Sequence, residues 1–298
     1  MPSARRQARP RPDPIVAFRV STFDVPGIVI LVVGALATSG LVVPPIAFAA
    51  SPSTAATGSV SFLVEERDAV QRLGDAVGKR DARGIRSAMD GVLAAFDALP
   101  EKDRRGKAKL AGSLGKLFGY RDPRDGTIPM RAADVLGMMG DAGADVLRRE
   151  LRQKKYEKEE DLALLREAMI LALGRTGSPT AVDTLLGYLE HHDAGVATVA
   201  VQGLAGFAEA PGKIRKRVVA EVIRALQVAQ NQGRGQRPRP GGGTSSRTKN
   251  DQSRSDRLMG PAHTTLVKLT GVSLYKTADW DTWFRENKRR DWDKKEDD

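Results

Sequence analysis

The chain contains no cysteine. That excludes disulfides, thiolate nucleophiles and zinc sites built on Cys ligands. Small exported domains often lean on disulfides, so a packed core has to hold this chain together. Aromatic residues make up only 5% of the 298 positions. The core is left to Leu, Val, Ala and Met, which suit short, closely packed helices. Histidine is nearly absent: His191, His192 and His263 are the whole supply. His191 and His192 beside Asp193 could contact a metal, but adjacent side chains on a helix point apart. The pair reads as a helix end at the surface. No His-x-x-x-His pair, P-loop, Gly-x-Ser-x-Gly elbow or dinucleotide fingerprint occurs. Glu65-Glu66 and Glu159-Glu160-Asp161 read as surface charge, because acid–base work needs carboxylates that converge in a pocket. No catalytic residue, metal or cofactor is therefore expected.

What is present is ordinary in bulk and uneven in place. Hydrophobic residues are 41%, charged residues 29%, and the formal net charge is +11. Residues 1–26 are rich in Pro and Arg. An uncharged run follows from Gly27 to Val43, then Pro44-Pro45 and Ala47-Phe48-Ala49. A basic region, an apolar region and an Ala-x-Ala site in that order read as an export signal. An uncleaved membrane anchor is the alternative, since Gly27 to Ala50 approaches the length of a bilayer span. Arg5-Arg6 lacks the hydrophobic residues that a twin-arginine motif wants just after the pair. Either reading places the rest of the chain outside the cytoplasm, in the periplasm or cell envelope.

Helical periodicity starts near Phe62, with Ala69, Val70, Leu73 and Val77 on one face. A second helix carries Ile85, Met89, Val92, Leu93, Phe96 and Leu99, and a third Leu110, Leu114, Leu117 and Phe118. Three similar stretches follow: Arg131–Leu151, Leu165–Leu189 and Val196–Leu226. Each runs one apolar helical face into a glycine, then a turn, then a second face. The marker glycines Gly140, Gly174 and Gly206 lie about 34 and 32 residues apart, the range of helical-hairpin repeats. Ser178 with Pro179, and Asp193, have the chemistry of helix N-termini.

The stretch Arg166-Glu-Ala-Met-Ile-Leu-Ala-Leu-Gly174-Arg-Thr-Gly-Ser-Pro179, followed by Ala181-Val182 and Leu185-Leu186, resembles the bacterial HEAT-like repeat. The resemblance covers Arg131–Leu226 well and Phe62–Phe118 loosely. It implies an all-α fold, a right-handed α-solenoid of HEAT-like helical hairpins, with Arg166 facing an acidic partner or a neighbouring repeat and Gly174 allowing close helix approach. Leu266-Val-Lys-Leu269-Thr270-Gly271, then Trp280-Asp-Thr-Trp283-Phe284 and Asn287, is similar to the closing segment of exported HEAT-repeat proteins from environmental bacteria. Such proteins are mostly scaffolds and binding proteins; some relatives are lyases that attach bilin chromophores. No lyase residues carry over to this chain.

The expected organisation is a signal peptide or anchor over 1–50, a linker over 51–61 and repeats over 62–230. A disordered basic insertion over 231–257, capping helices over 258–290 and a charged tail over 291–298 complete it. Trp280, Trp283 and Phe284 fall at i, i+3, i+4 and form one stripe. It reads as a cap over the last repeat or, alternatively, as an aromatic contact surface. Gly140, Gly174, Gly206, Trp280 and Trp283 are thus expected to be structural.

The basic excess has an address. Lys213, Arg215, Lys216 and Arg217 open a helix, the wrong end for its dipole. Arg234, Arg237 and Arg239 lie just downstream in a Gly-, Pro- and Gln-rich stretch. These seven are the candidate interaction residues. Such a basic arm reads either as a solubilising linker or as a binder of polyanions by counterion release; outside the cytoplasm those are anionic envelope polymers, lipid headgroups or acidic proteins. The arm lacks aromatics for stacking bases, which argues against nucleic acid. The leading expectation is an exported, non-enzymatic scaffold with a protein partner. A chromophore lyase or other enzyme on the same fold, and a cytosolic nucleic-acid-binding HEAT protein, are the alternatives.

Overall fold

The computed structural model describes the backbone of residues 55–121, 126–234 and 246–293. The expected export segment, 1–50, lies outside them. The described residues form twelve α-helices and no strand. They are α1 (Ala55–Gly78), α2 (Ala82–Ala98), α3 (Arg104–Gly115), α4 (Ile128–Gly137), α5 (Gly140–Leu151), α6 (Lys155–Lys158), α7 (Ala163–Arg175), α8 (Pro179–Leu189), α9 (Ala194–Leu204), α10 (Gly212–Arg234), α11 (Ser246–Thr270) and α12 (Thr277–Asn287). Among these residues no helix is long and apolar enough to cross a membrane.

Apolar spacing decides which faces turn inward. In α2 the buried residues are Ile85, Met89, Val92 and Phe96, a stripe at helical period. α7 buries Leu165, Met169, Ile170, Ala172 and Leu173, and α8 buries Ala181, Val182, Leu185 and Leu189. Each large aliphatic side chain so buried stabilises the fold by roughly 1.5–3 kcal/mol before its entropy is counted. The helices pack in two interleaved series. α2, α4, α7, α9 and α11 contact one another in turn; so do α3, α5, α8, α10 and α12. Each series skips a helix, so hairpin partners lie in opposite series.

Polar bonds between hairpins recur at regular sequence distances. Arg131 pairs with Asp90, and Arg175 with Asp134, each 41 residues away. In the other series Arg148 donates to Thr184 across 36 residues, the Tyr188 hydroxyl to the Leu151 carbonyl across 37, and Arg224 to Glu190 across 34.

Two helix N-termini follow their capping chemistry. Asp193 accepts from the Gly195 amide at 2.8 Å, as its sequence position implies, and Asp103 does the same for Gly106 at 2.9 Å. Ser178 departs from expectation. It stands at the N-cap of α8, with Pro179 behind it, but makes no capping bond. Its buried hydroxyl donates to Asp141 and meets the Thr180 hydroxyl. The carboxylate of the preceding hairpin outcompetes the local amide.

Several boundaries and roles are corrected. The expected linker over 51–61 is helical from Ala55 onward, as part of α1. Of the insertion expected to be disordered, residues 231–234 finish α10 and 246–257 open α11; residues 235–245 lie outside the described residues. Composition misses this because tertiary contacts order the segment: Ser255 and Leu258 are buried, and Arg254 bonds to the end of α8. Glu66, read as surface charge, is 4% exposed and pairs with Lys109 of α3 at 2.7 Å. The charged run 152–161 hides Tyr156, which is 1% exposed. α12 starts at Thr277, whose hydroxyl accepts from Gln230 at 2.8 Å instead of capping.

The marker glycines prove to be of two kinds. A Cβ at Gly174 would stand 2.1 Å from the Gly203 carbonyl oxygen, and one at Gly206 2.2 Å from the Gly174 carbonyl oxygen. These two let α7 and the end of α9 touch backbone to backbone. Gly140 has open space around it and φ +53°, like Gly177 with φ +61°. It is a turn glycine ahead of a second helix. Its counterpart is Gly177, and Gly137 is the one that meets the next hairpin, where an added Cβ would stand 3.1 Å from the Ala172 carbonyl oxygen. The motif spacing had therefore matched glycines with different jobs.

Candidate functional site

The basic start of α10 is not a free patch. Arg215 donates to the carbonyls of Ala210 and Trp292 and pairs with Asp293 at 3.4 Å. Lys216 donates to the Arg290 carbonyl, and Arg217 pairs with Asp183 at 2.6 Å. Lys213 is exposed. Asp293 also accepts from the Gly212 amide at 2.6 Å. That carboxylate sits at the N-terminus of α10 and supplies the negative charge which the basic cluster and the helix dipole both need. Residues 291–293 are accordingly docked, not a free tail. Arg234 ends α10, but its side chain, and Arg237 and Arg239 entirely, lie outside the described residues.

All three tryptophans of the chain meet at this end. Trp280 is 2% exposed and its indole N–H donates to the Leu274 carbonyl at 2.9 Å. It packs edge-on to Trp283, with centroids 6.0 Å apart, and Trp283 meets Trp292 at 5.7 Å. Arg215 and Lys216 lie over the Trp292 ring at 5.9 and 5.8 Å, a cation–π arrangement. The expected structural role of Trp280 fits its burial. Trp283 and Phe284 are half-buried beside it.

Arg166, expected to face an acidic partner or a neighbouring repeat, is 6% exposed and turned toward neighbouring elements of its own chain. It reaches Asp193 at the start of α9, 3.4 Å away, and donates to the Tyr156 carbonyl at 3.1 Å. Burial, then the neighbouring His192 and Arg166, hold His191 below the usual histidine value. Its Nδ1 accepts from the Asp193 amide at 3.1 Å, a bond that needs this nitrogen unprotonated. Burial and the nearby Glu150 carboxylate raise the Tyr156 hydroxyl. Among the described residues no group of three or more His, Asp or Glu is placed to hold a metal ion.

A concavity lies elsewhere, at the first hairpin. It is a half-open groove of about 620 Å³ between the C-terminal half of α1 and the turn Lys116–Gly119 that ends α3. Its floor is apolar: Val70, Leu73 and Val77 from α1, and Leu117 with Tyr120 from the turn. Ser113 also faces it, but its hydroxyl is satisfied by the Leu110 carbonyl at 2.6 Å. Arg80, Lys116 and Arg121 complete the lining, and no carboxylate or histidine does.

Arg80 carries a backbone signal as well. Its φ is +52°, the one positive value at a non-glycine among the described residues. Its amide donates to the Val77 carbonyl and the next amide, of Asp81, to Ala76, both at 3.1 Å. This is a Schellman ending, whose left-handed position is usually glycine. Holding arginine there costs on the order of 1–2 kcal/mol. Sequence reading missed the groove, because Val70, Leu73 and Val77 look like any core stripe. The clue lay in α1 ending without glycine at its left-handed position.

Comparison of the chain with protein-family models, with curated proteins and with solved structures found no match.

Proposed function

We propose that this chain is a right-handed α-solenoid of HEAT-like hairpins that works as an exported, non-enzymatic scaffold, binding a protein partner in the cell envelope. The observation that carries the reading is the recurrence of polar bonds one hairpin apart, from Arg131–Asp90 to Arg224–Glu190. Bonds of similar sequence reach, here 34 to 41 residues, are what a stack of repeats produces, since each unit touches only its neighbours. Such stacks offer long surfaces to macromolecules. Arg215, Lys216 and Arg217 of α10 are engaged within the chain, which moves the partner's surface away from them. The apolar run Gly27 to Val43, with its Ala-x-Ala site, supports export.

Fractionation of cells making the full chain with a C-terminal tag, followed by crosslinking, tests this. The expected result is a chain in the envelope fraction, crosslinked to one protein in fixed stoichiometry. A cytoplasmic chain with an intact N-terminus would sink the export reading. Turnover of a small substrate, abolished by a single substitution, would sink the scaffold reading.

A further inference from the structure

We infer that the groove between α1 and the Lys116–Gly119 turn binds a single-chain anionic amphiphile, an acyl carboxylate whose tail lies on Val70, Val77 and Tyr120 and whose head lies among Arg80, Lys116 and Arg121. The site goes beyond the scaffold reading and stands or falls separately from it. Its volume, about 620 Å³, belongs to small-molecule pockets, which are mostly apolar with a few placed polar groups. It is too small for a folded partner and too apolar for a free anion.

Charge selects the head group. Three cations and no carboxylate line the groove. Arg121 has Glu159 at 3.2 Å, whereas Arg80 and Lys116 make no ion pair among the described residues. The Ser113 hydroxyl on the floor is already bound to the Leu110 carbonyl. A tail therefore meets apolar carbon, and a carboxylate at the mouth meets positive charge. A cationic amphiphile would gain the first and lose the second. The strained backbone of Arg80 fits this arrangement, since strain that a glycine would relieve tends to persist where the side chain has a task.

The test is titration calorimetry of the full chain with sodium dodecanoate below its micelle concentration, with dodecyltrimethylammonium as the counter-probe. Dodecanoate is expected to bind saturably, one per chain, and the cationic probe at least about tenfold more weakly. Replacing Arg80→Gly with Lys116→Gln should weaken dodecanoate about fivefold, the sum of two exposed charge contacts. Lys268→Gln, an exposed cation on α11, should change nothing. Arg80→Gly alone relieves backbone strain, so a loss of binding in that variant cannot be put down to misfolding. A photoreactive dodecanoate should label residues 70–80 or 116–121. Absence of saturable binding, equal binding of the cationic probe, an unaffected double variant, or label placed elsewhere would each overturn the proposal.

Discussion

At Arg80, one side chain holds a backbone conformation that glycine would adopt freely. Arg80→Gly should therefore stabilise the fold by about 1 kcal/mol, the left-handed penalty less the added freedom of the unfolded chain; thermal denaturation checks it. Gly174 is the opposite case. A methyl there would overlap the Gly203 carbonyl oxygen at 2.1 Å. Backbone cannot yield as a flexible side chain can, so Gly174→Ala should cost about 3 kcal/mol or more. Gly187, within α8, has nothing within 4 Å. Gly187→Ala should stabilise by about 0.5–1 kcal/mol on helix propensity alone. The two substitutions, compared by urea denaturation, separate steric contact from propensity. His191 supplies a pH dependence. Its folded value lies below its unfolded one, so the unfolded state takes up the proton first. Its contribution is complete above the unfolded value, near 6.5, and is lost as pH falls from there toward the folded value. The groups around it are His192, Asp193, Arg166 and Arg254. The melting temperature of the wild type should fall between about pH 7 and pH 5 more than that of His191→Gln; parallel curves would refute the assignment.

Among the elements, α11 shows how a segment of poor composition becomes ordered. Arg254 donates to the carbonyls of Leu189 at 2.9 Å and His191 at 2.6 Å. Those carbonyls close α8, where a helix leaves acceptors unsatisfied and favours a cation. One arginine thus caps α8 and anchors the first turns of α11, while Thr265 donates to the Val201 carbonyl of α9 at 2.9 Å further along. Arg254→Ala should cost about 1–2 kcal/mol. Hydrogen exchange should quicken at residues 246–257 well before it does at 262–269. Uniform exchange along α11 would show that the cap is not what orders the segment.

On the scale of the whole molecule, serial packing makes a separable prediction. The three tryptophans report only on the C-terminal end, whereas far-ultraviolet circular dichroism reports on every helix. In a stack held by nearest neighbours, weakening the α7–α9 contact by Gly174→Ala should split the circular dichroism transition in two. The tryptophan signal should follow only one of the two steps. If both probes shift together, the chain unfolds as one cooperative body and the solenoid reading loses its support.

Sequence alone determined the all-helical class, because apolar residues at i, i+3, i+4 and i+7 permit little else once strand alternation is absent. It also determined Asp193 as a cap, since that bond runs to a near neighbour in the chain. Only the tertiary structure decided the rest. Residues 246–257 are helical because α8 lends them its carbonyls, from about 60 positions away. Arg215 of α10 is engaged because Asp293 and the Trp292 carbonyl return to it across more than 75 positions. Gly140 and Gly174 differ because one needs a dihedral angle and the other needs space, and a letter in a sequence records neither. The groove was illegible for the same reason: a stripe of Val70, Leu73 and Val77 is core or cavity according to what packs opposite it, and that is set by the third dimension.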